Sequence, residues 1–333
     1  MQHKHVISCD WGTSSLRLQL IDTASHSCLA KVSSTQGNAS IFNAWKTQPG
    51  LNRVHFYVRY LQPLINELSA SAGISLNNIE IIISGMASSS VGMRELPYAD
   101  VPFDLDGSSA YSEWIEAKPL IDNPILLISG VQQADDVMRG EETQLIGIVS
   151  LLDLPEDDDL LFILPGTHSK HIVVNKKSIS QFRTFMTGEI FDMLTKHTVL
   201  SHAVSSPKND LIVDEDKKSF SDGASKALTG ELLKSLFSVR INQLKKYLTA
   251  KQNYFYLSGL LIGSELKHIA KNINQKLVLC SSGRLLQLYQ LAIDCMELSE
   301  RTIVVPADIL DNAAAEGQIR ILNNIKSVPS HER

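Results

Sequence analysis

Two short turns in the sequence carry residue types that can bind phosphate groups. The first reads Gly12-Thr13-Ser14-Ser15 and the second reads Gly166-Thr167-His168-Ser169. A tight turn of glycine and small hydroxyl residues can point several backbone N–H groups at one anion without any net positive charge. Glycine and serine also favour ordinary turns, so either turn alone would be weak evidence. Because the two turns recur at matching positions in two halves of the chain, they predict a pair of phosphate-binding hairpins that hold a polyphosphate from two sides.

Charged residues flank both turns. Asp10 directly precedes the first turn. A carboxylate at this position can orient Mg²⁺, largely through water, because Mg²⁺ keeps much of its hydration shell and bridges phosphates. We therefore predict that Asp10 is the metal ligand. Lys170 follows the second turn and can neutralise phosphate charge.

A dense acidic segment follows a predicted buried strand. Residues 134–144 include the carboxylates Asp135, Asp136, Glu141 and Glu142. Phosphoryl transfer to a hydroxyl uses a carboxylate that holds the hydroxyl in line and takes its proton. Acidic residues in the first turn of a helix also stabilise the helix dipole, which is the alternative role for Glu141 and Glu142. The residue types place the candidate base in this segment without choosing among its members.

Arginine is the expected ligand if the phosphate acceptor is itself an acid. Its planar guanidinium group binds a carboxylate through two parallel hydrogen bonds, which lysine does less well. Four arginines lie near predicted turns or strand ends: Arg17, Arg94, Arg139 and Arg183. Any one of them could equally form a surface ion pair. As a set, they predict that one or two bind an acidic substrate.

The elements that must position these residues occur in two similar series. In the first half we expect strands at residues 5–10, 16–21, 28–34, 79–85 and 124–130, with helices at 54–68 and 140–152. In the second half we expect strands at 160–166, 171–175, 178–185, 276–282 and 302–305, with helices at 188–200, roughly 222–270, 284–296 and 308–325. These assignments rest on apolar residues that recur at strand or helix spacing. The acidic run 155–159 is the predicted boundary, which gives domains of residues 1–155 and 156–333.

Length and composition limit the class of protein. The chain has 333 residues, of which 44% are apolar and 20% charged, and this length predicts about two domains. A net charge of -5 argues against nucleic-acid binding, which needs basic surface. The four cysteines show neither metal-ligand spacing nor a disulfide framework, and no segment resembles a signal peptide or a membrane span. We expect a cytoplasmic protein with no nucleic-acid or membrane partner, and the sequence leaves a homo-oligomer open.

The motifs resemble those of the actin/hexokinase/Hsp70 superfamily, whose α/β fold consists of duplicated ribonuclease-H-like domains with an ATP cleft between them. Within this superfamily the chain is similar to the 2-dehydro-3-deoxygalactonokinase family. The matching stretches follow the expected order over most of the chain: Asp10–Arg17, Ser84–Met86, Val91-Gly92, Val137–Gly147, Pro165–His168 with Lys170, Phe182–Thr184, Met186–Glu189 and Leu257–Glu265.

The resemblance implies an activity and several site residues. The activity would be ATP-dependent phosphorylation of 2-dehydro-3-deoxy-D-galactonate at its terminal 6-hydroxyl, a step of galactonate breakdown, with ATP and Mg²⁺ bound. In related sugar kinases the base precedes the second phosphate hairpin, which favours Glu141 or Asp136. By analogy, glycine turns at residues 258–265 and 281–284 would hold adenosine, with Gly259 and Gly283 as their glycines.

Two alternatives remain open at this stage. The first is a kinase for another acid sugar, such as 2-dehydro-3-deoxygluconate, because no motif reads the stereocentre that separates the two substrates. The second is a sensor of nucleotide or sugar that has the same fold without turnover. Residues 86–90 read Met-Ala-Ser-Ser-Ser, where the family resemblance leads us to expect a glycine.

Overall fold

The computed structural model of the protein describes residues 4–48, 50–155, 159–207, 211–269 and 275–327. Its contacts divide the chain into two compact units. Unit 1 is formed by the described residues of 4–155, 175–181 and 308–327, and unit 2 by those of 159–174 and 182–307.

The regular elements are numbered here in chain order. The strands are β1 His5–Trp11, β2 Leu16–Asp22, β3 Cys28–Ser34, β4 Ile81–Gly85, β5 Ala99–Asp100, β6 Phe103–Asp104, β7 Ser112–Ile115, β8 Ile125–Ile128, β9 Val131–Gln133, β10 Asp136–Met138, β11 Leu160–Leu164, β12 Ser169–Asn175, β13 Ser178–Phe185, β14 Lys276–Leu279 and β15 Thr302–Val304. The helices are α1 Asn38–Lys46, α2 Arg53–Ala72, α3 Glu141–Leu151, α4 Thr187–His197, α5 Asp214–Thr229, α6 Leu232–Leu244, α7 Ala250–Leu266, α8 Gly283–Cys295 and α9 Ala307–Ser327.

The main sheet of unit 1 has the strand order β3-β2-β1-β4-β8-β7. Strands β1, β2 and β3 form an antiparallel meander, and β4 and β8 then add parallel to β1. Alternate residues of β1, namely Ile7, Cys9 and Trp11, are fully buried in one apolar cluster with α2. The residues between them, such as Asp10, therefore point to the other face of the sheet, since successive side chains of a strand alternate.

Unit 2 repeats this order of strands. Its sheet reads β13-β12-β11-β14-β15, with β12 antiparallel to β11, and with β14 and β15 parallel. Leu161, Ile163, Leu277 and Leu279 pack here against α5, α7 and α8. Each unit thus has a three-stranded meander followed by two parallel strands, as the two predicted series of elements require.

The structure differs from the predicted elements in two places. The helical stretch expected at roughly 222–270 consists of three helices, α5, α6 and α7, with turns around Gly230 and Lys246 between them, and α5 begins earlier, at Asp214. The segment 86–112, which shows no regular pattern in the sequence, contains the short strands β5 and β6 and the start of β7. No helix of the described chain is both long and apolar enough to cross a membrane.

The last helix packs on unit 1, whereas the predicted division assigns it to the second domain. The Gln318 amide of α9 donates to the Cys9 carbonyl (3.0 Å) and to the Ser84 hydroxyl (2.8 Å), at the carboxyl ends of β1 and β4. Residues 175–181 also belong to unit 1, because β6 pairs with the start of β13. Residues 156–158 of the predicted boundary run lie outside the described residues.

Candidate active site

The first predicted phosphate hairpin joins β1 to β2 and rests on the N-terminus of α1. The backbone N–H groups of Asn38 and Ala39 donate to the carbonyls of Gly12 (2.9 Å) and Thr13 (3.1 Å). Gly37 permits this close approach, because a Cβ there would lie 2.3 to 2.4 Å from backbone atoms of the hairpin. The carbonyl groups of the hairpin therefore face the helix.

The tip of the first hairpin is open to a ligand. Thr13 and Ser14 are exposed, and within the described chain their backbone N–H groups donate no hydrogen bond. Unpaired N–H groups in a tight turn form a concave site for anions, and the positive end of the α1 dipole lies behind them. The geometry of this turn suits a phosphate group.

The second hairpin, in unit 2, joins β11 to β12 and repeats the arrangement with α4 behind it. The Glu189 N–H donates to the Thr167 carbonyl at 3.0 Å. A Cβ on Gly188 would lie 2.5 Å from the Gly166 carbonyl oxygen, so this position also needs glycine. His168 is exposed, and its Nε2 lies 2.5 Å from a carboxylate oxygen of Glu189.

Sequence reasoning missed the two glycines behind the hairpins, although a signal for them exists. Gly37 lies three residues after the end of β3, and Gly188 lies three residues after the end of β13. The two positions are therefore equivalent in the repeated series of elements. A comparison of the two halves beyond the Gly-Thr turns would have found them.

Asp10 lies at the carboxyl end of β1, opposite Arg17 of β2 and Ser84 of β4. Burial raises the pKa of Asp10, the guanidinium of Arg17 lowers it, and the negative charge of Glu141 raises it further. Asp10 is half-buried at the surface of the protein. The charges of one predicted arginine and of one candidate base therefore act on the predicted metal ligand.

The two adjacent glutamates of the acidic segment lie in different environments. Glu141 begins α3, and its Oε2 accepts a hydrogen bond from the Arg139 N–H at 3.0 Å. Glu142 is buried and accepts from the Gly140 N–H at 2.8 and 2.9 Å and from the Thr143 hydroxyl at 2.9 Å. Burial, and then the charge of Glu141, raise the pKa of Glu142 to about 7. Glu142 is thus a buried group that holds the start of α3.

Asp136, the other candidate base, lies in β10 opposite Gln133 of β9. One of its carboxylate oxygens accepts from the Val137 N–H at 2.8 Å. Of the two candidate bases, Glu141 is the one whose negative charge raises the pKa of Asp10.

Arg139 is held by neutral groups. Its Nη1 donates to the hydroxyls of Ser88 (2.6 Å) and Ser129 (3.2 Å), and its guanidinium carbon lies 4.0 Å from the centre of the Tyr98 ring. No carboxylate pairs with this guanidinium within the part of the chain that the structure describes, and its Nε is buried without a partner. A half-buried cation without a counter-ion is a candidate ligand for an acidic substrate.

The remaining arginines differ in their surroundings. Arg17 is exposed on β2 opposite Asp10. Arg183 is exposed on β13, four residues before α4. Arg94 forms an exposed ion pair with Glu113 at 2.7 Å, which is the ordinary surface role that the sequence left open for each of them.

The glycine turn expected at residues 258–265 is absent, because these residues lie inside α7. Gly259 is buried, and a Cβ there would lie 2.0 Å from the Phe220 carbonyl oxygen of α5. The prediction of a turn at this position is wrong, since Gly259 serves the close packing of two helices. Gly283 is exposed at the start of α8, after β14 and at the same sheet edge as the second hairpin, and its adenosine role stays a prediction.

Comparison with known proteins identifies the family. Residues 10–321 match the sequence model of the 2-keto-3-deoxy-galactonokinase family. The chain belongs to this family. A Rhizobium meliloti (strain 1021) protein assigned as a 2-dehydro-3-deoxygalactonokinase is 34% identical over 302 residues, which cover 88% of this chain and 90% of that protein. The Escherichia coli (strain K12) 2-dehydro-3-deoxygalactonokinase is 31% identical over 223 residues, 65% of this chain and 70% of that protein.

Solved structures agree with the family and with the fold. A crystal structure of a Sinorhizobium meliloti protein, also assigned as a 2-dehydro-3-deoxygalactonokinase, is 30% identical and covers 98% of both chains with a TM-score of 0.78. Component A of the Acidaminococcus fermentans (R)-2-hydroxyglutaryl-CoA dehydratase is 11% identical, with a TM-score of 0.50 over 96% of this chain and 99% of that one, and shares the fold alone. The predictions of the family and of the duplicated ribonuclease-H-like α/β fold are confirmed.

Proposed function

We propose that this protein is an ATP-dependent kinase that transfers a phosphoryl group to the terminal 6-hydroxyl of 2-dehydro-3-deoxy-D-galactonate in galactonate breakdown. The observation that carries this proposal is the family match over residues 10–321, which includes both hairpins and the acidic segment. Two relatives that are 34% and 31% identical bear the name of this activity. A kinase of a catabolic intermediate acts in the cytoplasm, where ATP is supplied.

The two hairpins are the proposed ligands of the ATP phosphates. Thr13 and Ser14 contribute exposed N–H groups from the first hairpin, and Gly166, Thr167 and His168 form the second. Hydrogen bonds from fixed N–H groups stabilise negative charge that moves onto the phosphate oxygens during transfer. This local device explains how a chain of net charge -5 binds a polyanion.

The surroundings of Asp10 fit a Mg²⁺ ion. Asp10 and Glu141 are like charges close enough to affect each other, and a divalent cation stabilises such a pair. Asp10 is the proposed protein ligand, and water and phosphate oxygens would supply the other ligands of the ion. When bound, Mg²⁺ neutralises charge on the phosphates.

Glu141 is the proposed base. The Arg139 N–H orients its carboxylate at 3.0 Å, and negative charge is favoured at the N-terminus of a helix. Glu141 takes the proton of the 6-hydroxyl as the hydroxyl oxygen bonds to phosphorus and the bond to the leaving oxygen of ADP breaks. Glu142 is less suited to this role, because it is buried and engaged by Gly140 and Thr143.

Arg139 is the proposed ligand of the substrate carboxylate. Ser88, Ser129 and Tyr98 fix its side chain without neutralising its charge. A preorganised guanidinium group can bind a carboxylate with little further loss of side-chain entropy. Arg17 and Arg183 are the other proposed contacts to the acid sugar, and both are exposed.

A coupled assay of ADP release tests the proposal with 2-dehydro-3-deoxygalactonate, 2-dehydro-3-deoxygluconate and a neutral hexose as acceptors. We expect the galactonate derivative to have the highest kcat/KM, and ³¹P NMR of the product to show a 6-phosphate. A neutral hexose that outperforms both acid sugars would overturn the role of the arginines. Binding of ATP and sugar acid without any ADP release would instead support the sensor.

A further inference from the structure

Glu265 of α7 is a buried carboxylate that no step of the proposed reaction uses. It is 2% exposed. It accepts a hydrogen bond from the Tyr289 hydroxyl at 2.8 Å, another from the Thr187 hydroxyl, and pairs with the His171 Nε2 at 2.9 Å. A carboxylate is costly to bury unless several donors satisfy it, and these three come from three different elements, α8, α4 and β12.

One route leads from Glu265 to the backbone of the second hairpin. The Ser169 and Tyr289 hydroxyls lie 3.0 Å apart, and Ser169 accepts the Gly166 N–H at 3.3 Å. Burial and the neighbouring Glu265 raise the pKa of Tyr289 well above its usual range, so the phenol keeps its proton and donates it to the carboxylate. Ser169 must then donate to Tyr289, and the whole chain of hydrogen bonds points from Gly166 to Glu265.

A second route reaches the other side of the same hairpin. Thr187, which donates to Glu265, is the first residue of α4. Its two successors contact the hairpin directly: Gly188 packs on Gly166, and the Glu189 N–H donates to Thr167. Glu265 therefore fixes both the strand that follows the hairpin and the helix behind it.

We propose that Glu265 is a positioning residue for the second phosphate hairpin: it sets the position of the turn, and thereby the affinity for the phosphates of ATP. This inference rests on the proposed function, in which the hairpin binds those phosphates. An anion cradle binds only as well as its N–H groups are held in place. The network supplies this rigidity without touching the nucleotide.

The substitution Glu265→Gln tests whether the hairpin depends on a side chain that accepts hydrogen bonds at both of its terminal atoms. A carboxylate accepts at both oxygens, whereas an amide accepts at one end and donates at the other. Glutamine therefore cannot accept from His171 at one end and from both Tyr289 and Thr187 at the other. If the amide oxygen takes the place of Oε2, it keeps Tyr289 and Thr187, and the amide nitrogen forces His171 into the tautomer in which Nε2 accepts; in the opposite orientation both hydroxyls lose their acceptor. In either orientation a neutral amide holds the two donors less strongly than the carboxylate does, so both supports of the hairpin are weakened.

We expect Glu265→Gln to raise the Kd for ATP about tenfold, the order expected when buried donors exchange a charged acceptor for a neutral one. The Kd for adenosine and the KM for the sugar acid should change by less than about twofold. Tyr289→Phe, which removes only the hydroxyl of the first route, should raise the Kd for ATP by a smaller factor. Thr187→Val should weaken ATP binding as well, and Thr187→Ser should restore it by restoring the hydroxyl.

Asn253→Ala is the matched control in the same helix. Asn253 is buried in α7 and donates to the carbonyls of Ala203 and Val239, so its loss should lower the melting temperature and leave ATP affinity unchanged. If Glu265→Gln behaves like this control, the network is only structural and the inference is overturned. Should Glu265→Gln fail to fold, the Tyr289 and Thr187 variants decide in the same way.

The wild-type protein separates this inference from the proposed function. If it binds ATP but phosphorylates no acid sugar, the proposed function fails, and the ATP affinities of the variants still decide the role of Glu265. If the wild type binds no ATP at all, both proposals are overturned.

Discussion

Replacement of Glu142 by glutamine should stabilise unit 1 at pH 8 and have a much smaller effect at pH 5. Burial, and then the charge of Glu141, raise the pKa of Glu142 from its ordinary value of 4.5 to about 7. The folded state therefore binds the proton of the Glu142 carboxyl group more tightly than the unfolded state does. The stability that this protonation contributes is fully present below pH 4.5 and is lost as the pH rises through 7.

The size of the effect follows from the same two pKa values. At pH 8 the ionised carboxylate lowers the free energy of unfolding by about 3 kcal/mol relative to a permanently neutral side chain, and at pH 5 by about 1 kcal/mol or less. Glutamine has nearly the shape of the protonated glutamate. For a unit of this size, the variant should melt roughly 10 °C above the wild type at pH 8 and about 2 °C above it at pH 5.

Calorimetric scans of both proteins between pH 5 and pH 8 provide the assay. Glu95→Gln is the control, because Glu95 lies exposed in the same unit and its substitution should give no pH-dependent difference. An equal shift in melting temperature at both pH values, or a loss of stability at pH 8, would refute the reasoning from burial.

Five further substitutions test the candidate active site. Glu141→Gln should lower kcat by roughly two to four orders of magnitude, with Kd for ATP little changed, whereas Asp136→Asn should have a much smaller effect in the same ADP-release assay. Arg139→Lys should raise the KM for the sugar acid about tenfold or more and leave the KM for ATP unchanged, because lysine loses the bidentate contact. Asp10→Asn should raise the Mg²⁺ concentration needed for half-maximal activity in a Mg²⁺ titration. Gly37→Ala should weaken ATP binding, measured by calorimetry, because the new Cβ would meet hairpin backbone at 2.3 to 2.4 Å.

The results that would contradict these predictions are equally specific. Full activity in both acidic variants would exclude Glu141 and Asp136 as the base. A rise in the KM for ATP in Arg139→Lys would assign this arginine to the nucleotide instead of the sugar. An unchanged Mg²⁺ titration in Asp10→Asn would remove the metal role, and unchanged ATP binding in Gly37→Ala would show that the hairpin tolerates displacement.

Features encoded by contiguous residues were predictable from the sequence. The Gly12–Ser15 and Gly166–Ser169 turns each bring their chemistry within four residues, and the strands around them show in the spacing of apolar side chains. The repetition of turn and strands in two halves was sufficient for the duplicated fold. The family followed from strings such as residues 137–147, and the match over 10–321 confirmed it.

Glu141 and Glu142 show what local pattern could not decide. They are neighbours of the same type, but rotation along the helix, about 100° per residue, gives them different surroundings. Glu142 is buried, whereas Glu141 is half-buried and its charge acts on Asp10. Gly259 has a similar ambiguity, because a glycine is needed both in tight turns and where two helices pack closely. Only the approach of Phe220 in α5 decides between these roles.

The sequence by itself therefore determined the chemistry of the hairpins, the order of the elements and the family, because each depends on residues close together in the chain. The tertiary structure decided which of the two glutamates is buried, which neutral groups surround Arg139, and which side chains support the second hairpin. It also assigned α9 to unit 1, through contacts such as that of Gln318 with Cys9. These properties depend on burial and on partners far away in sequence, and the free energy of a buried charge or hydrogen bond depends on those partners.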